Sequence, residues 1–313
     1  MKKILALLVF AMFILAACDG GEVRLNMATG GVAGTYYPFG GAMATVINDR
    51  TDINVTVMAS GASADNIQQI AAGDAHIAIA QNDVMSYAFY GTGIWSEREP
   101  VTNIATLMSL YPETIQIIVL ADSGIYSVAD LAGQRVSIGD IGSGVEANAL
   151  QVLAAYGLGV ADINVVNLGF GASADQMRDL NLDAFFVTAA TPNTAVLELA
   201  TARDLRLLNL SDRAITELMR DYPFYVRVNV DSNDGYPWMV GSINTVAVQA
   251  TLIASTDVDE QVAFDIVQAL IEGQADIGHA RGAYISAEYA VQSISVDFHP
   301  GARRFFQEIG VLD

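Results

Sequence analysis

Lysine is almost missing from this 313-residue chain, and both of its lysines, Lys2 and Lys3, stand at the amino-terminal end. The rest of the sequence therefore offers no lysine for a Schiff base, a pyridoxal anchor, or the phosphate contacts of a P-loop or a kinase. Cysteine is equally scarce, since Cys18 is the only one. A single thiol excludes a disulfide framework, a CxxC pair and a cysteine cluster for zinc.

Positive charge is also in short supply. The 15 Lys+Arg face 35 Asp+Glu, which gives a net charge of −20. Such a charge repels a phosphate backbone at long range, so we expect no nucleic-acid partner. Hydrophobic residues make up 52% of the chain and charged residues only 16%, which excludes intrinsic disorder. The length allows two domains of ordinary size, each with its own core.

A short basic start and an apolar run open the chain. Lys2 and Lys3 precede an uncharged stretch over residues 4–17, which is too short to span a bilayer but typical of a signal peptide. It ends Leu-Ala-Ala-Cys, which resembles the lipobox of bacterial lipoproteins. We therefore predict a signal peptide over 1–17 and lipidation of Cys18; the alternative is ordinary cleavage that leaves this cysteine as a free thiol. The predicted location is the periplasm or the outer face of the cytoplasmic membrane, with the lipid anchor as the only membrane contact.

Short β-rich runs alternate with helical patterns along the rest of the chain. The patterns predict strands over 23–28 and 53–59, a helix from about Thr35, and a second helix over 63–72. This alternation is typical of α/β units. The predicted fold class is therefore α/β, with mixed, mainly parallel sheets and flanking helices.

An internal repeat indicates two lobes of similar construction. The sequence Gly-Ala-Ser-Ala-Asp occurs at 61–65 and again at 171–175. Each copy follows a predicted strand and precedes a predicted helix, and each helix then leads into an apolar strand. Repetition of a whole strand–turn–helix–strand unit predicts two similar halves.

Two crossings between the lobes follow from this organisation. We place the first near residues 110–113 and the return in the polar stretch 231–236 or soon after. Lobe one then comprises 20–112 plus 237–313, and lobe two comprises 113–236. Two crossings make a hinge that can close the lobes over a ligand.

The predicted ligand site lies at the carboxyl ends of the strands, where open α/β sheets bind ligands. The glycine-rich turn over 29–34 almost fits GxGxxG, but Thr29 takes the first position and the expected acid is absent, so a dinucleotide site is excluded. The glycines still let the backbone approach a ligand, and the following helix presents free N–H groups to a carboxylate. Ser143 begins one capping box and Ser173 begins another, and both hydroxyls are predicted helix caps.

The residues predicted to bind the ligand stand in loops that follow strands or begin helices. They are Gly34, Thr35, Tyr36, Ser60, Gly61, Gln81, Asn82, Ser143, Gly144, Val145 and Thr191. Asp83 or Glu113 is a candidate partner for a ligand ammonium, although either acid could equally lie at the surface.

No pattern for catalysis or for a cofactor accompanies this site. His76, His279 and His299 are scattered, and none belongs to an HExxH or lies beside a GxSxG motif. The acidic stretch 231–235 lacks the spacing of a calcium loop. We therefore predict no enzyme activity, no metal and no cofactor.

Several short motifs resemble the TAXI-type solute receptors of tripartite ATP-independent periplasmic (TRAP) transporters. They run in order along the chain: Gly31-x-x-Gly34-Thr35-Tyr36-Tyr37-Pro38, Ala59-Ser60-Gly61-Ala62-Ser63, Gln81-Asn82-Asp83, Leu110-Tyr111-Pro112-Glu113, Gly142-Ser143-Gly144, Asp183-Ala184-Phe185-Phe186 and His299-Pro300-Gly301-Ala302. Two positions depart from that family: Ala62 replaces a frequent glycine, and Val145 replaces a common threonine.

The resemblance implies a two-lobed, type II periplasmic-binding-protein fold. It also implies a receptor that captures a small organic acid or amino acid, such as glutamate, glutamine or 2-oxoglutarate, and delivers it to TRAP membrane permease subunits. One alternative is a substrate-binding lipoprotein of an ABC importer. Another is a sensory or adhesive lipoprotein with no role in transport.

Overall fold

A single mixed sheet organises the protein. The computed structural model describes residues 23–233 and 235–313, and in that part of the chain ten strands join one sheet. The strands are β1 (Val23–Ala28), β2 (Ile53–Met58), β3 (Ile77–Gln81), β4 (Ile104–Leu120), β5 (Arg135–Ser137), β6 (Asn164–Val166), β7 (Ala184–Ala189), β8 (Leu205–Leu207), β9 (Val226–Val230) and β10 (Ile243–Ser255).

Helices connect most of these strands. The α-helices in the described ranges are α1 (Tyr36–Arg50), α2 (Ser63–Ala72), α3 (Asn82–Tyr90), α4 (Gly144–Ala155), α5 (Phe170–Arg178), α6 (Thr194–Ala200), α7 (Asp212–Asp221), α8 (Glu260–Glu272), α9 (Ala287–Ala290) and α10 (Pro300–Glu308).

The strand order is β2-β1-β3-β10-β4-β7-β5-β6, with β8 paired to β4 and β9 paired to β10. The pairs β1–β2, β1–β3, β5–β6 and β5–β7 are parallel. Parallel neighbours need a crossover connection, which α1, α2, α4 and α5 supply. The two central strands, β4 and β10, run antiparallel to each other. The α/β fold class predicted from the alternation of patterns is thus confirmed.

Helix α1 illustrates why these residues fold as they do. Phe39, Met43 and Ile47 recur at helical spacing and are fully buried, so one face of the helix packs on the sheet. Pro38 stands in the first turn, where its missing N–H has no helical partner to lose. The predicted bounds of β1 and α2 match the structure to the residue.

Buried apolar side chains form separate clusters on the two sides of the central strands. The clusters around β1, β2 and β3 include Met27, Phe39 and Ile79, and they extend to α8 and α10. The clusters around β5 and β7 include Val136 and Phe186. We call the β1–β3 side, with α1–α3 and α8–α10, the first half, and the β5–β9 side, with α4–α7, the second half.

The chain passes from the first half to the second inside a strand. β4 continues without a break through residues 110–113, although Pro112 lies within it. It pairs with β10 up to Thr114 and with β7 from Thr114 onward. The return also lies inside a strand, because β10 pairs with β9 over 243–247 and with β3 over 250–254.

The residues just after the predicted return still pack with the second half. Tyr236, Trp238 and Met239 belong to the cluster that contains Phe185, and Val246 belongs to the cluster that contains Phe186. β10 therefore changes neighbours more than ten residues beyond the stretch 231–236.

The predicted signal peptide over 1–17 and the lipidation of Cys18 lie outside the described residues. Among the residues that are described, no helix has the length and apolar character needed to cross a bilayer.

Candidate functional site

A cavity of about 260 Å³ lies between the two halves of the sheet. The lining residues come from turns and helix starts of both halves. They are Gly30, Gly31, Val32, Ala33, Gly34, Thr35, Tyr36, Gly61, Ala62, Ser63, Gln81, Glu113, Asp140, Ser143, Gly144, Val145, Gly169, Phe170, Gly171, Ala172, Thr188 and Ala189. Its size and position suit a small molecule.

Four helices begin at this cavity, because α1, α2, α4 and α5 each start within or next to its lining. The first-turn amides of a helix have no acceptor within that helix, and the helix dipole places positive charge at the same end. The α2 terminus is partly occupied, since the Ala64 N–H donates to the Gly142 carbonyl at 3.1 Å. The starts of α1, α4 and α5 are thus the main donors available to an anion.

The start of α4 is capped as predicted. The Ser143 Oγ accepts a hydrogen bond from the Glu146 N–H at 3.1 Å. The Glu146 carboxylate reaches back to the Gly142 N–H, at 2.8 Å, instead of to Ser143. Capping orients the Ser143–Val145 turn toward the cavity and leaves the amides of its first residues unused by the cap.

The predicted second cap at Ser173 is wrong. α5 begins at Phe170, three residues earlier, with Gly169 as its N-cap. Ser173 is buried inside the helix, where its Oγ contacts the Ser137 Oγ at 2.8 Å. The earlier start carries Gly171 and Ala172 into the cavity lining, a placement that the repeat with Gly61 and Ala62 would have predicted.

Most of the predicted binding residues are brought together here. Eight of the eleven line the cavity: Gly34, Thr35, Tyr36, Gly61, Gln81, Ser143, Gly144 and Val145. The Gly61 N–H already donates to Asp65 Oδ2 at 2.9 Å. Gly61 therefore contributes backbone surface to the cavity wall and not a free N–H donor. Ala62 beside it has a φ of 69°, a left-handed value that favours glycine.

Three predicted residues lie outside the lining and are held by other contacts. The Ser60 Oγ donates to Asn66 Oδ1 at 2.5 Å. Asn82 is buried, and its Oδ1 accepts from the Gln249 N–H at 3.1 Å, which ties α3 to β10. The Thr191 carbonyl accepts from the Arg281 guanidinium at 2.8 Å.

The acidic candidate Glu113 belongs to the cavity and not to the surface. It is 2% exposed, and its Oε2 accepts a hydrogen bond from the Tyr36 hydroxyl at 2.6 Å. Burial raises the pKa of this carboxyl to about 8, against a lowering by the bonds from Tyr36 and Gln81. Among the described residues, the lining includes no arginine or histidine.

The second candidate acid, Asp83, braces the two halves against each other. It is 1% exposed, and its Oδ2 accepts from the Asn148 side-chain amide at 2.9 Å. Asn148 lies on α4 and Asp83 on α3, so this bond joins the halves. Burial raises the pKa of Asp83 to about 6, because no cation offsets the lost hydration.

This buried acid predicts an unusual pH dependence of stability. A raised native pKa means that the folded chain keeps a proton which the unfolded chain loses between about pH 4 and pH 6, so the free energy of unfolding falls as the pH rises through that window. We compare the free energy of unfolding of Asp83→Asn with that of the wild type at each pH. We expect this difference to be roughly 1–3 kcal/mol more favourable to the variant at pH 7.5 than at pH 4.5. Urea unfolding at both values measures the gain.

The exposed acid Asp122 provides a control for that experiment. Asp122→Asn removes one exposed carboxylate and should change the free energy of unfolding by less than ~0.5 kcal/mol at either pH. A difference between Asp83→Asn and the wild type that stays constant from pH 4.5 to pH 7.5 would show that Asp83 is ionised in the folded chain throughout.

The three histidines have structural positions in the described chain. The ring nitrogen Nδ1 of His279 accepts from the Arg281 N–H, and that of His299 accepts from the Gly301 N–H. His76 Nδ1 accepts from the Asn26 N–H at 3.0 Å. No group of three potential metal-binding side chains occurs in residues 23–233 and 235–313.

The fold, with two halves joined by long central strands over a cavity, is that of the type II periplasmic binding proteins. A family model supports this directly, because the model of the NMT1-like family matches residues 27–310. The chain belongs to the NMT1-like family.

Solved structures of binding proteins share the fold at low sequence identity. The alkanesulfonate-binding protein SsuA from Xanthomonas axonopodis pv. citri, bound to MOPS, is 15% identical, with a TM-score of 0.53 over 91% of this chain and 83% of that chain. PhnD1 from Prochlorococcus marinus, in complex with methylphosphonate, is 10% identical, with a TM-score of 0.55 over 92% and 99%. A putative L-cystine ABC transporter from Listeria monocytogenes is 12% identical, with a TM-score of 0.52 over 86% and 98%.

These findings correct the family predicted from the motifs. The matching family model is NMT1-like. The similar structures are an alkanesulfonate-binding protein, PhnD1 in complex with methylphosphonate and a putative L-cystine ABC transporter, so the assignment to TAXI-type receptors of TRAP transporters is wrong. The motifs consist largely of glycines and small polar residues at strand ends and helix starts. The fold itself demands such residues there, so they do not distinguish its families.

Proposed function

We propose that the protein is the substrate-binding component of an ABC-type importer and that it captures a small organic acid or amino acid outside the cytoplasmic membrane. The observation that carries this proposal is the convergence of helix starts from both halves on one cavity. Each helix terminus stabilises an anion by ~0.3–1 kcal/mol, or up to ~2 when partly buried. Three or four together supply much of the ~8 kcal/mol of micromolar binding.

The importer assignment rests on the kind of protein that shares the fold. One similar structure is described as part of an ABC transporter, and others are proteins that bind alkanesulfonates or methylphosphonate. Genes for an ATPase and a membrane permease beside this gene would support the importer. A neighbouring secondary permease without an ATPase would contradict it.

We also propose that capture proceeds by closure about the central strands. The hinge would lie where β4 and β10 change neighbours, near residues 111–114 and 247–250. Lobe one would then resume near 248 instead of 237. The proposed lipid anchor at Cys18 would hold the receptor beside its permease.

Calorimetry with a panel of small solutes tests the binding function. The panel contains the twenty standard L-amino acids, 2-oxoglutarate, methylphosphonate and an alkanesulfonate. We expect at least one micromolar binder, and we expect Ser143→Tyr to abolish that binding, because the new ring would fill the cavity at the start of α4.

Ser211 is a matched control for that variant. Its Oγ caps α7 as Ser143 caps α4, with the Ala214 N–H at 3.2 Å, but it lies away from the cavity. Ser211→Tyr should lose a similar cap and keep the affinity. If no member of the panel binds the wild type, the proposed function fails.

A further inference from the structure

Glu113 is the one buried acid that lines the cavity in the described chain, and no cation in that lining compensates it. Arg281 acts on the neighbouring Tyr111, where its positive charge lowers the pKa of the phenol. The Arg281 guanidinium is committed elsewhere, because it donates to the Thr191 carbonyl and lies over the Tyr284 ring. A buried acid without a cation is costly to ionise unless a ligand supplies the positive charge.

Two further polar groups in the same cavity lack a partner. The Gln81 Oε1 and the Thr188 Oγ1 are buried and accept or donate no hydrogen bond within the protein. Gln81 is 2% exposed and Thr188 is 4% exposed, and both line the cavity. Buried polar groups are normally satisfied, so unpartnered ones that face a cavity point to a ligand.

All three of these groups can accept hydrogen bonds, and the Thr188 hydroxyl can also donate one. The Glu113 carboxylate, the Gln81 amide oxygen and the Thr188 hydroxyl oxygen can each accept one N–H, and an ammonium group has three to donate. The starts of α1, α4 and α5 supply the opposite chemistry, with N–H donors for an anion. One cavity therefore offers both an anion site and a cation site.

We propose that Glu113, together with Gln81 and Thr188, binds an ammonium group of the solute, so that the solute is a zwitterion and not a simple anion. The inference rests on the proposed function, because it assigns the second pole of the same binding site. Sulfonates and phosphonates without an amine leave the Gln81 amide oxygen without a donor and offer no positive charge to an ionised Glu113.

Proton exchange on binding follows from this arrangement. The titratable groups that interact electrostatically with Glu113 are Tyr36 on α1, Asp83 on α3 and Tyr111 on β4, and burial raises the pKa of each. Asp140 is acidic too and lies at the cavity rim. The empty site therefore holds Glu113 as a neutral acid at neutral pH. Binding of an ammonium ionises it, the carboxylate pairs with the ammonium, and the proton leaves to solvent.

Paired compounds test this proposal. Calorimetry compares the tightest L-amino acid of the panel with the same acid lacking the amine, for example L-glutamate with glutarate. We expect the wild type to prefer the amino acid by at least ~30-fold and to release close to one proton at pH 6.5, as measured in buffers of different ionisation enthalpy. The release should fall toward zero at pH 9, where Glu113 is already mostly ionised in the empty site and the amino acid is still mostly an ammonium.

Glu113→Gln is the decisive variant, since a glutamine can still accept the bond from Tyr36. It should lose the preference for the amino acid, keep the affinity for the acid without the amine within ~3-fold, and release no proton. An unchanged thermal midpoint confirms that this variant is folded.

The outcomes separate the inference from the proposed function. Wild-type binding of glutarate, methylphosphonate or an alkanesulfonate as tight as that of any amino acid overturns the role of Glu113 and leaves the receptor function in place. Equal loss of both paired compounds in Glu113→Gln also overturns it. The absence of any binder overturns both.

Discussion

Replacement of Gly144 with alanine is expected to weaken solute binding by about 10–100-fold. Gly144 begins α4 in the second half and faces Gln81 at the end of β3 in the first half. A Cβ at position 144 would lie only 2.8 Å from Gln81 Nε2 and closer still to Gln81 Oε1. Forcing an extra methyl group into a packed contact costs about 1–3 kcal/mol, and 1.4 kcal/mol corresponds to tenfold in affinity.

The side chain of Gln81 has little room to retreat. It is 2% exposed, and its amide lies close enough to Glu113 to lower the pKa of that carboxyl. The alanine variant must therefore either hold the halves apart or displace Gln81 from its place beside Glu113. Both responses raise the dissociation constant, which calorimetry with the tightest compound of the panel measures.

Gly171 is the matched control, because it also stands between the halves. A Cβ there would meet the Ala33 Cβ at 3.5 Å, an ordinary contact, so Gly171→Ala should still let the halves meet and should weaken binding less than Gly144→Ala. If Gly144→Ala weakens binding no more than Gly171→Ala, the contact between Gly144 and Gln81 does not control closure on the solute.

The sequence predicts the first half well because its signals are local. β1 is an alternating strand that ends at a glycine-rich turn, and the α1 and α2 starts follow such turns directly. Buried positions in α1 recur at helical spacing. The continuity of β4 through residues 110–113 is harder to predict, because a proline such as Pro112 is unusual inside a strand. The change of neighbouring strands there depends on pairing with β10 and β7, which lie far away in the sequence.

The site is predictable in outline but not in its electrostatics. Strand ends and helix starts point to eight residues of the lining, and the repeat marks the second-half turn as well. Glu113 looks equally like a surface acid or a ligand partner in the sequence, because burial depends on which elements cover it. The unpaired state of Thr188 depends likewise on packing between β7 and the rest of the cavity.

The family of the protein is harder to predict from these motifs than its fold. The motifs that resemble TAXI-type receptors place glycine where α1, α2 and α4 begin, and any protein that presents helix starts to a small solute needs such residues.

Gly301 provides the largest expected effect on stability. It lies in the first turn of α10, where that helix crosses the start of α8. A Cβ at position 301 would overlap the Glu260 carbonyl oxygen and lie 2.8 Å from the Phe264 backbone nitrogen. Because these atoms belong to the backbone of α8, no side-chain rotation relieves the overlap. We expect Gly301→Ala to lower the free energy of unfolding by at least ~3 kcal/mol.

Gly41 is the matched control, since it also lies in a helix but has nothing within 4 Å of its missing Cβ. Gly41→Ala in α1 should raise the free energy of unfolding by about 0.5–1 kcal/mol, because alanine favours the helix. Urea unfolding of the two variants then gives shifts of opposite sign. A loss of less than ~1 kcal/mol for Gly301→Ala would mean that α10 can move off α8, and that the close approach of the two helices does not require glycine.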